Sequence, residues 1–294
     1  MIKPFQDKKA IFLMIFPALG FIVFAMFLPI LLSLRYGMTD WSGFGAAKFV
    51  GLDNFKEIFL HDPAFWRSLL NALLLAVVTV VIQHPIAFLV CVLLTKIENK
   101  NRFFRVIYFI PAVISVVVTT RLWVHIFNPS YGLFNKVLAM VGLGFLKMDW
   151  LSNTHTALWS VILIVIWQGF GWAILFYYAG LVSIPKELQE AARIDGAGGI
   201  KLYTKVILPL MTPVIRAVVV IGLITSLKQM ETVYLSTNGG PGDTSQFLAN
   251  YLYMKAFQYG QYGYGMALSL VFVLVCILGT VLLNMATRKD VGEF

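Results

Sequence analysis

The side chains best placed to do chemistry here are polar or aromatic groups set inside long apolar runs: Gln83, His84, Gln168, Trp172, Tyr177, Tyr178 and Arg216. A polar side chain is expensive in hydrocarbon, so these are expected to face a bundle interior or a water-filled path. Gln168, Trp172, Tyr177 and Tyr178 combine hydrogen-bonding groups with aromatic faces. A sugar needs that combination, an apolar platform for its ring C–H faces and partners for its hydroxyls. Each residue also has a plainer reading. Gln83-His84-Pro85 suits a helix kink with locally satisfied groups. Gln168, Trp172, Tyr177 and Tyr178 suit packing between helices, and Arg216 suits an interhelical pair. Arg121 lies near a helix end and suits snorkelling. Asn71, Gln229 and Glu231 are weaker candidates of the same kind.

Covalent, metal and nucleotide chemistry find no support. His61, His84, His125 and His155 lie in different segments without metal-ligand spacing. No Ser/His/Asp or paired-carboxylate arrangement stands out. Gly196-Ala197-Gly198-Gly199-Ile200-Lys201 lacks the spacing of a phosphate loop and follows a helix, not a strand. No catalytic residue, metal or cofactor is therefore expected in this chain. Cys91 and Cys276 each sit in an apolar run and read as small apolar fillers, not as a disulfide.

The elements that must hold these residues follow from composition. Apolar residues are 59% of the 294 and charged residues 13%, against roughly 25% charged in an average soluble domain. So much apolar surface requires lipid as part of the solvent. About 20 apolar residues make a crossing helix, and six segments qualify: Ile11–Leu34, Leu69–Thr95, Val106–Phe127, Ala157–Val182, Val206–Leu227 and Gly265–Thr287. The first is too long for a signal-peptide core and reads as a retained helix. The formal charge of +9 falls in short clusters between these runs, as membrane anchoring requires, and not along a nucleic-acid-binding face. Lys3, Lys8, Lys9, Lys96, Lys100, Arg102, Arg105, Lys186, Arg193, Lys201, Lys205, Arg288 and Lys289 share one side, whereas the longer opposite loops carry fewer basic residues. The positive-inside rule then places both termini in the cytoplasm. The expected class is an all-α membrane protein with six transmembrane helices. Its organisation reads as an N-terminal helix and first outer loop (1–68), a membrane domain (69–287) and a cytoplasmic tail (288–294).

The inner loop 183–209 has structure of its own. Ser183 is expected to cap a short helix, with Pro185 in its first turn and Gly196 as its stop. Leu188, Ala191, Ala192 and Asp195 fall on one stripe, and Glu187, Glu190 and Arg193 lie away from its centre. An amphipathic helix lying on the membrane surface has the same pattern. The longer arrangement is more specific: Glu190-Ala191-Ala192, three residues, Gly196, nine residues, then Val206-Ile207-Leu208-Pro209. It resembles the cytoplasmic signature of permease subunits of binding-protein-dependent ABC importers, E-A-A, three residues, G, nine residues, I-x-L-P, departing only at Val206. Trp167-Gln168-Gly169-Phe170-Gly171, Ala179-Gly180-Leu181, Ile184-Pro185-Lys186-Glu187 and Thr237-Asn238-Gly239-Gly240-Pro241 resemble the carbohydrate, maltose-type branch.

The resemblance implies the fold of a type I ABC importer permease in a bacterial cytoplasmic membrane. It also implies a second, similar permease, two ATPase subunits holding ATP-Mg, an extracytoplasmic solute-binding protein and a carbohydrate substrate. By the same resemblance Glu187, Glu190, Ala191, Ala192, Asp195 and Gly196 form the ATPase-coupling surface. Glu190 would meet a basic residue, the alanines would allow close docking, and Gly196 would make the turn. A glycerol-phosphate-like or polyol solute is the alternative within that class. A channel or membrane scaffold is the alternative outside it, though no charge ring or filter-like run is present.

Overall fold

In the computed structural model, residues 8–95 and 101–287 are described, and they are helical with a single isolated bridge between Thr39 and Phe49. The order is α1 (Lys8–Gly37), α2 (Asp53–Lys56), α3 (Pro63–Val78), α4 (His84–Thr95), α5 (Asn101–Val113), α6 (Val116–Ile126) and α7 (Leu133–Met140). There follow α8 (Ala157–Ser183), α9 (Lys186–Ile194), α10 (Ile200–Leu202), α11 (Leu208–Leu227), α12 (Glu231–Ser236), α13 (Leu248–Tyr253) and α14 (Tyr262–Thr287). Four π-helical turns, Glu57–His61, Thr79–Gln83, Tyr203–Ile207 and Met254–Gln258, join or extend these helices.

Among the described residues, five uninterrupted helical segments are long and apolar enough to cross a bilayer: Ile11–Gly37, Pro63–Thr95, Ala157–Ser183, Ile200–Leu227 and Tyr262–Ala286. The predicted span Val106–Phe127 is instead two helices, Val106–Val113 and Val116–Ile126, bent by 104°. Counted as one broken span, they complete the six. The break has a local cause. Pro111 has no N–H for the ladder, and Ser115 takes extended angles and caps α6, its Oγ accepting from the Val118 N–H. Pro17 and Pro29, by contrast, are carried within α1. The basic positions Lys3, Lys96, Lys100, Arg288 and Lys289, and the tail 288–294, lie outside the described residues.

The chain divides into two compact units. One, Met1–Asp62 with Leu252–Leu274, is held by backbone-level contacts. Asn54 Nδ2 donates to the carbonyls of Gly37 and Thr39, each at 2.8 Å, and the Gly263 N–H donates to the Trp41 carbonyl at 2.8 Å. Trp41 is stacked on Tyr36 with ring centroids 4.7 Å apart. The Tyr264 hydroxyl donates to Asp62.

The other unit, Pro63–Tyr251 with Val275–Phe294, contains the helix pairs that matter for function. Lipid tails are as apolar as leucine, so close packing between helices must supply the cohesion there, and small residues allow it. Gly171 of α8 lets the Tyr108 carbonyl of α5 approach, and Gly180 of α8 admits Met211 and Val214 of α11. Ala87, Cys91, Ala173, Tyr177, Leu181, Ile207 and Met211 form one buried cluster across α4, α8 and α11. Both cysteines are free.

The loop 239–246 is tied to α3 by polar contacts: Arg67 Nη1 donates to the Gly242 carbonyl at 2.8 Å. Asn71 Nδ2 donates to the carbonyls of Thr244 (3.0 Å) and Gln246 (2.8 Å). Asn71 is thus a structural clamp. Leaving such buried acceptors unpaired costs about 1–3 kcal/mol. Asn71→Ala is expected to lower the thermal unfolding midpoint of the detergent-solubilised protein by several degrees, and an unchanged midpoint would contradict that role.

Candidate functional site: a polar cavity and an exposed inner helix

Two helices and three junctions line a cavity of about 400 Å³. Helix α8 supplies Val165, Gln168, Gly169, Trp172, Ala173 and Phe176, a run of i, i+3, i+4, i+7, i+8 and i+11 positions that is one helical face. Helix α11 supplies Val218, Ile221, Gly222, Thr225 and Ser226 with the same periodicity. The π turn between α3 and α4 brings in Thr79 and Gln83, and His84 follows it directly. Val116 enters at the break between α5 and α6, and Gln229, Glu231 and Thr232 line it from the α11–α12 junction.

The polar groups in this wall are organised. Gln168 Nε2 donates to the Ile114 carbonyl at 3.0 Å, satisfying the chain at the helix break. Ser226 Oγ donates to the Gly222 carbonyl at 2.8 Å and lies 3.2 Å from Thr79 Oγ1. Thr225 Oγ1 donates to the Ile221 carbonyl at 2.9 Å. Gly169 makes room for the buried Gln83: a Cβ there would stand 3.0 Å from Gln83 Nε2. The polar groups of the lining are thus amide, hydroxyl, imidazole and indole, with Glu231 as its one carboxylate and no lysine or arginine, set among the apolar Val116, Val165, Phe176, Val218 and Ile221. Such a surface can bind hydroxyls and stack a sugar ring.

Of the seven residues singled out in the sequence, Gln83, His84, Gln168 and Trp172 converge on this cavity. Tyr177 does not. It is 1% exposed and packs edge-on against His84 and Phe88, at 5.8 and 5.6 Å between centroids. Tyr178 faces a different hollow, shared with Val106, Tyr108 and Phe109. Arg216 is spent on Asn284: its Nε and Nη2 donate to the Asn284 Oδ1 and carbonyl oxygen, both at 3.2 Å. Thr79, Gly169, Gly222, Thr225, Ser226 and Thr232 are additions from the structure. Gly222, Thr225, Ser226 and Gln229 stand at i, i+3, i+4 and i+7, a polar stripe visible in the sequence once the helix is phased.

At the other end of α8, the inner loop folds differently in one respect from expectation. Ser183 is not the cap of α9. It ends α8 and donates to the Gly180 carbonyl at 2.8 Å, and Pro185, with extended ψ, is the N-cap of α9 and not part of its first turn. The predicted stop holds: Gly196 has φ +82°, the Ala197 N–H donates to the Ala192 carbonyl and the Gly196 N–H to the Arg193 carbonyl. This is a Schellman termination. Glu187, Glu190, Ala191, Asp195 and Gly196 are exposed, Ala192 is half-buried, and Leu188 and Ile194 are 48% and 86% exposed. No ion pair among the described residues engages Glu187 or Glu190. The helix presents charged groups and apolar surface with nothing packed over them.

Residues 9–289 match the family described as binding-protein-dependent transport system inner membrane component. The chain belongs to that family. The match takes in α1, so the likeness extends further towards the N-terminus than the motifs alone reach. The "Probable ABC transporter permease protein YurN" of Bacillus subtilis is 37% identical over 291 residues, 98% of this chain and 99% of that protein. The trehalose/maltose transport system permease protein MalF of Thermococcus litoralis is 29% identical, covering 97% of both chains. A chain of the bacterial alginate ABC transporter, solved with an alginate pentasaccharide-bound periplasmic protein, superposes with a TM-score of 0.83 at 22% identity over 98% of each chain. That likeness establishes the type I importer permease fold. This family member is therefore a multi-pass protein of the plasma membrane.

Gln168 joins the cavity to the helix break, and Gln168→Leu strands the Ile114 carbonyl. A net loss of about 1–3 kcal/mol is expected, read as a lower unfolding midpoint together with reduced solute uptake in cells. Unchanged values of both would show that the bond holds nothing.

Proposed function

We propose that this chain is one of two permease subunits of an ATP-driven importer for a neutral carbohydrate. In this reading it forms half the translocation path and receives the ATPase stroke through the loop 183–209. The observation that carries the substrate class is the cavity wall: an apolar surface that carries amides, hydroxyls, an imidazole and an indole, with one carboxylate and no lysine or arginine. A sugar phosphate or a uronate would meet no basic partner there, since Arg216 is committed to Asn284 and exposed Arg121 is not part of the wall. Relatives named for sugar transport support the class.

The remaining parts of the assembly follow from the chemistry this chain lacks. ATP-Mg is assigned to two separate ATPase subunits, and a solute-binding protein delivers the sugar to the outer face. Both termini lie in the cytoplasm. The exposed α9 is the docking helix: Glu190 pairs with a basic residue of the ATPase, Ala191 and Ala192 permit close approach, and Glu187 and Asp195 flank the contact. Gly196 supplies the positive φ that ends the helix. A second permease of similar fold completes the path.

Reconstitution with its partners in lipid, charged in turn with maltose, trehalose, glycerol 3-phosphate and an alginate trisaccharide, tests the substrate class. Stimulation of ATP hydrolysis by a neutral sugar and not by the two anions is expected; the reverse pattern would overturn the reading. Breaking a buried charge pair from one side costs about 3–5 kcal/mol. Glu190→Lys, and separately Gly196→Val, are accordingly expected to leave the protein inserted while uptake falls at least tenfold. Normal uptake in both variants would sink the docking assignment.

A further inference from the structure

Among the described residues lining the polar cavity, His84 alone has buried polar atoms without a hydrogen-bond partner, and both of its ring nitrogens are in that state. The residue is 5% exposed. Its ring meets Tyr177 edge-on, and Nε2 lies against the bare backbone of Gly222, where an added Cβ would stand 2.6 Å away. His84 also lines a second, apolar cavity of about 840 Å³ with Pro85, Phe88, Tyr177, Ile215 and Val219. The imidazole is thus part of the partition between a polar chamber and an apolar one. Gly222 lines the polar chamber too, so the covered nitrogen lies behind a glycine that faces the solute path.

An imidazole has hydrogen-bonding capacity at both nitrogens. Stranding both opposes this packing, and buried groups left in that state call for an explanation. The nearest source of partners is the polar cavity. The wall is also built to give way at this point. A π turn precedes His84, Pro85 withholds an N–H from the ladder, and position 222 carries no side chain.

We propose that His84 is a solute-sensing group: when α11 shifts at Gly222, the imidazole turns from the partition into the polar cavity and hydrogen-bonds a hydroxyl of the neutral sugar. The inference rests on the cavity reading given above and deepens it. Solute then favours the shifted position of α11, because only there does it satisfy the imidazole, and a ligand moves an equilibrium only through such a difference. Helix α11 continues back through Tyr203–Ile207 and α10 to the Gly196–Gly199 link that follows α9. Occupancy sensed at His84 is carried to the docking helix along one element.

The test uses the assembled complex in lipid nanodiscs, treated with diethyl pyrocarbonate and read by mass spectrometry. Exposed His61, His125 and His155 serve as controls that label in every state. His84 is expected to be protected at rest, to label several-fold more when a hydrolysis-deficient ATPase holds ATP, and to be protected again by maltose or trehalose. Equal labelling at rest and with ATP would overturn the proposal. In parallel, His84→Phe keeps a ring against Tyr177 and removes both nitrogens. It is expected to assemble, while the stimulation of ATP hydrolysis by sugar falls by up to ~10-fold for the lost bond; His84→Gln recovers part of it. Full stimulation in His84→Phe overturns the sensing role. If Trp172→Ala and Gln168→Leu also keep full uptake, the cavity reading fails as well; if they lose uptake while His84→Phe does not, the sensing role alone fails.

Discussion

In hydrocarbon every backbone N–H and C=O must find its partner inside the protein, and the rest of this structure depends on how that requirement is met where helices are interrupted. Continuous helices meet it by themselves. The informative places are the exceptions. At the break between α5 and α6 the Ile114 carbonyl is reached by Gln168 from a different helix, so a side chain of the cavity wall is also a structural tie. At Thr79–Gln83 and Tyr203–Ile207 the ladder widens into π turns and continues without a gap. Hydroxyls elsewhere return to their own helices, as Thr212 does to Leu208 and Thr280 to Cys276. Thr225 and Ser226 also bond back within α11 and still line the cavity, so a hydroxyl's local bond and its place in the wall are separate matters.

That division explains what could be read from the sequence. Apolar run length identified the membrane segments, because crossing lipid is a constraint on composition more than on contacts. The inner helix was legible too, since Gly196 must take a left-handed conformation whatever surrounds it. Ser183 was misassigned because its hydroxyl has two local uses, capping the next helix or bonding back to its own, and the preceding helix won. The bend between Val113 and Val116 was missed because Pro111 also fits a gentle kink, as Pro17 and Pro29 show in α1. Among the polar candidates, residue type did not separate Trp172, which faces the cavity, from Tyr177, which is core. Five residues along a helix turn the side chain to another face, and only the packed neighbours tell which face is lined.

Small residues carry the same theme into packing. Gly171 and Gly180 lie on α8 at points where α5 and α11 press closest. Between them α8 keeps polar and aromatic groups towards the cavity and places Tyr177 against α4. The fold thus uses one helix as wall, tie and spacer. This is why its polar residues resist assignment to a single role.

The uninterrupted run from Ile200 to Leu227 has a mechanical consequence. At about 1.5 Å per residue it is a rod of roughly 40 Å. One close seat along it is Met211 beside Gly180, about 16 Å from the Ile200 end and 24 Å from the Leu227 end at that rise. If that contact is the fulcrum, the cavity residues Val218 to Ser226 lie about 10–22 Å beyond it, an arm much like the one that reaches the loop. A displacement delivered at the loop then reaches the cavity reversed in direction and similar in size, opening one side while closing the other.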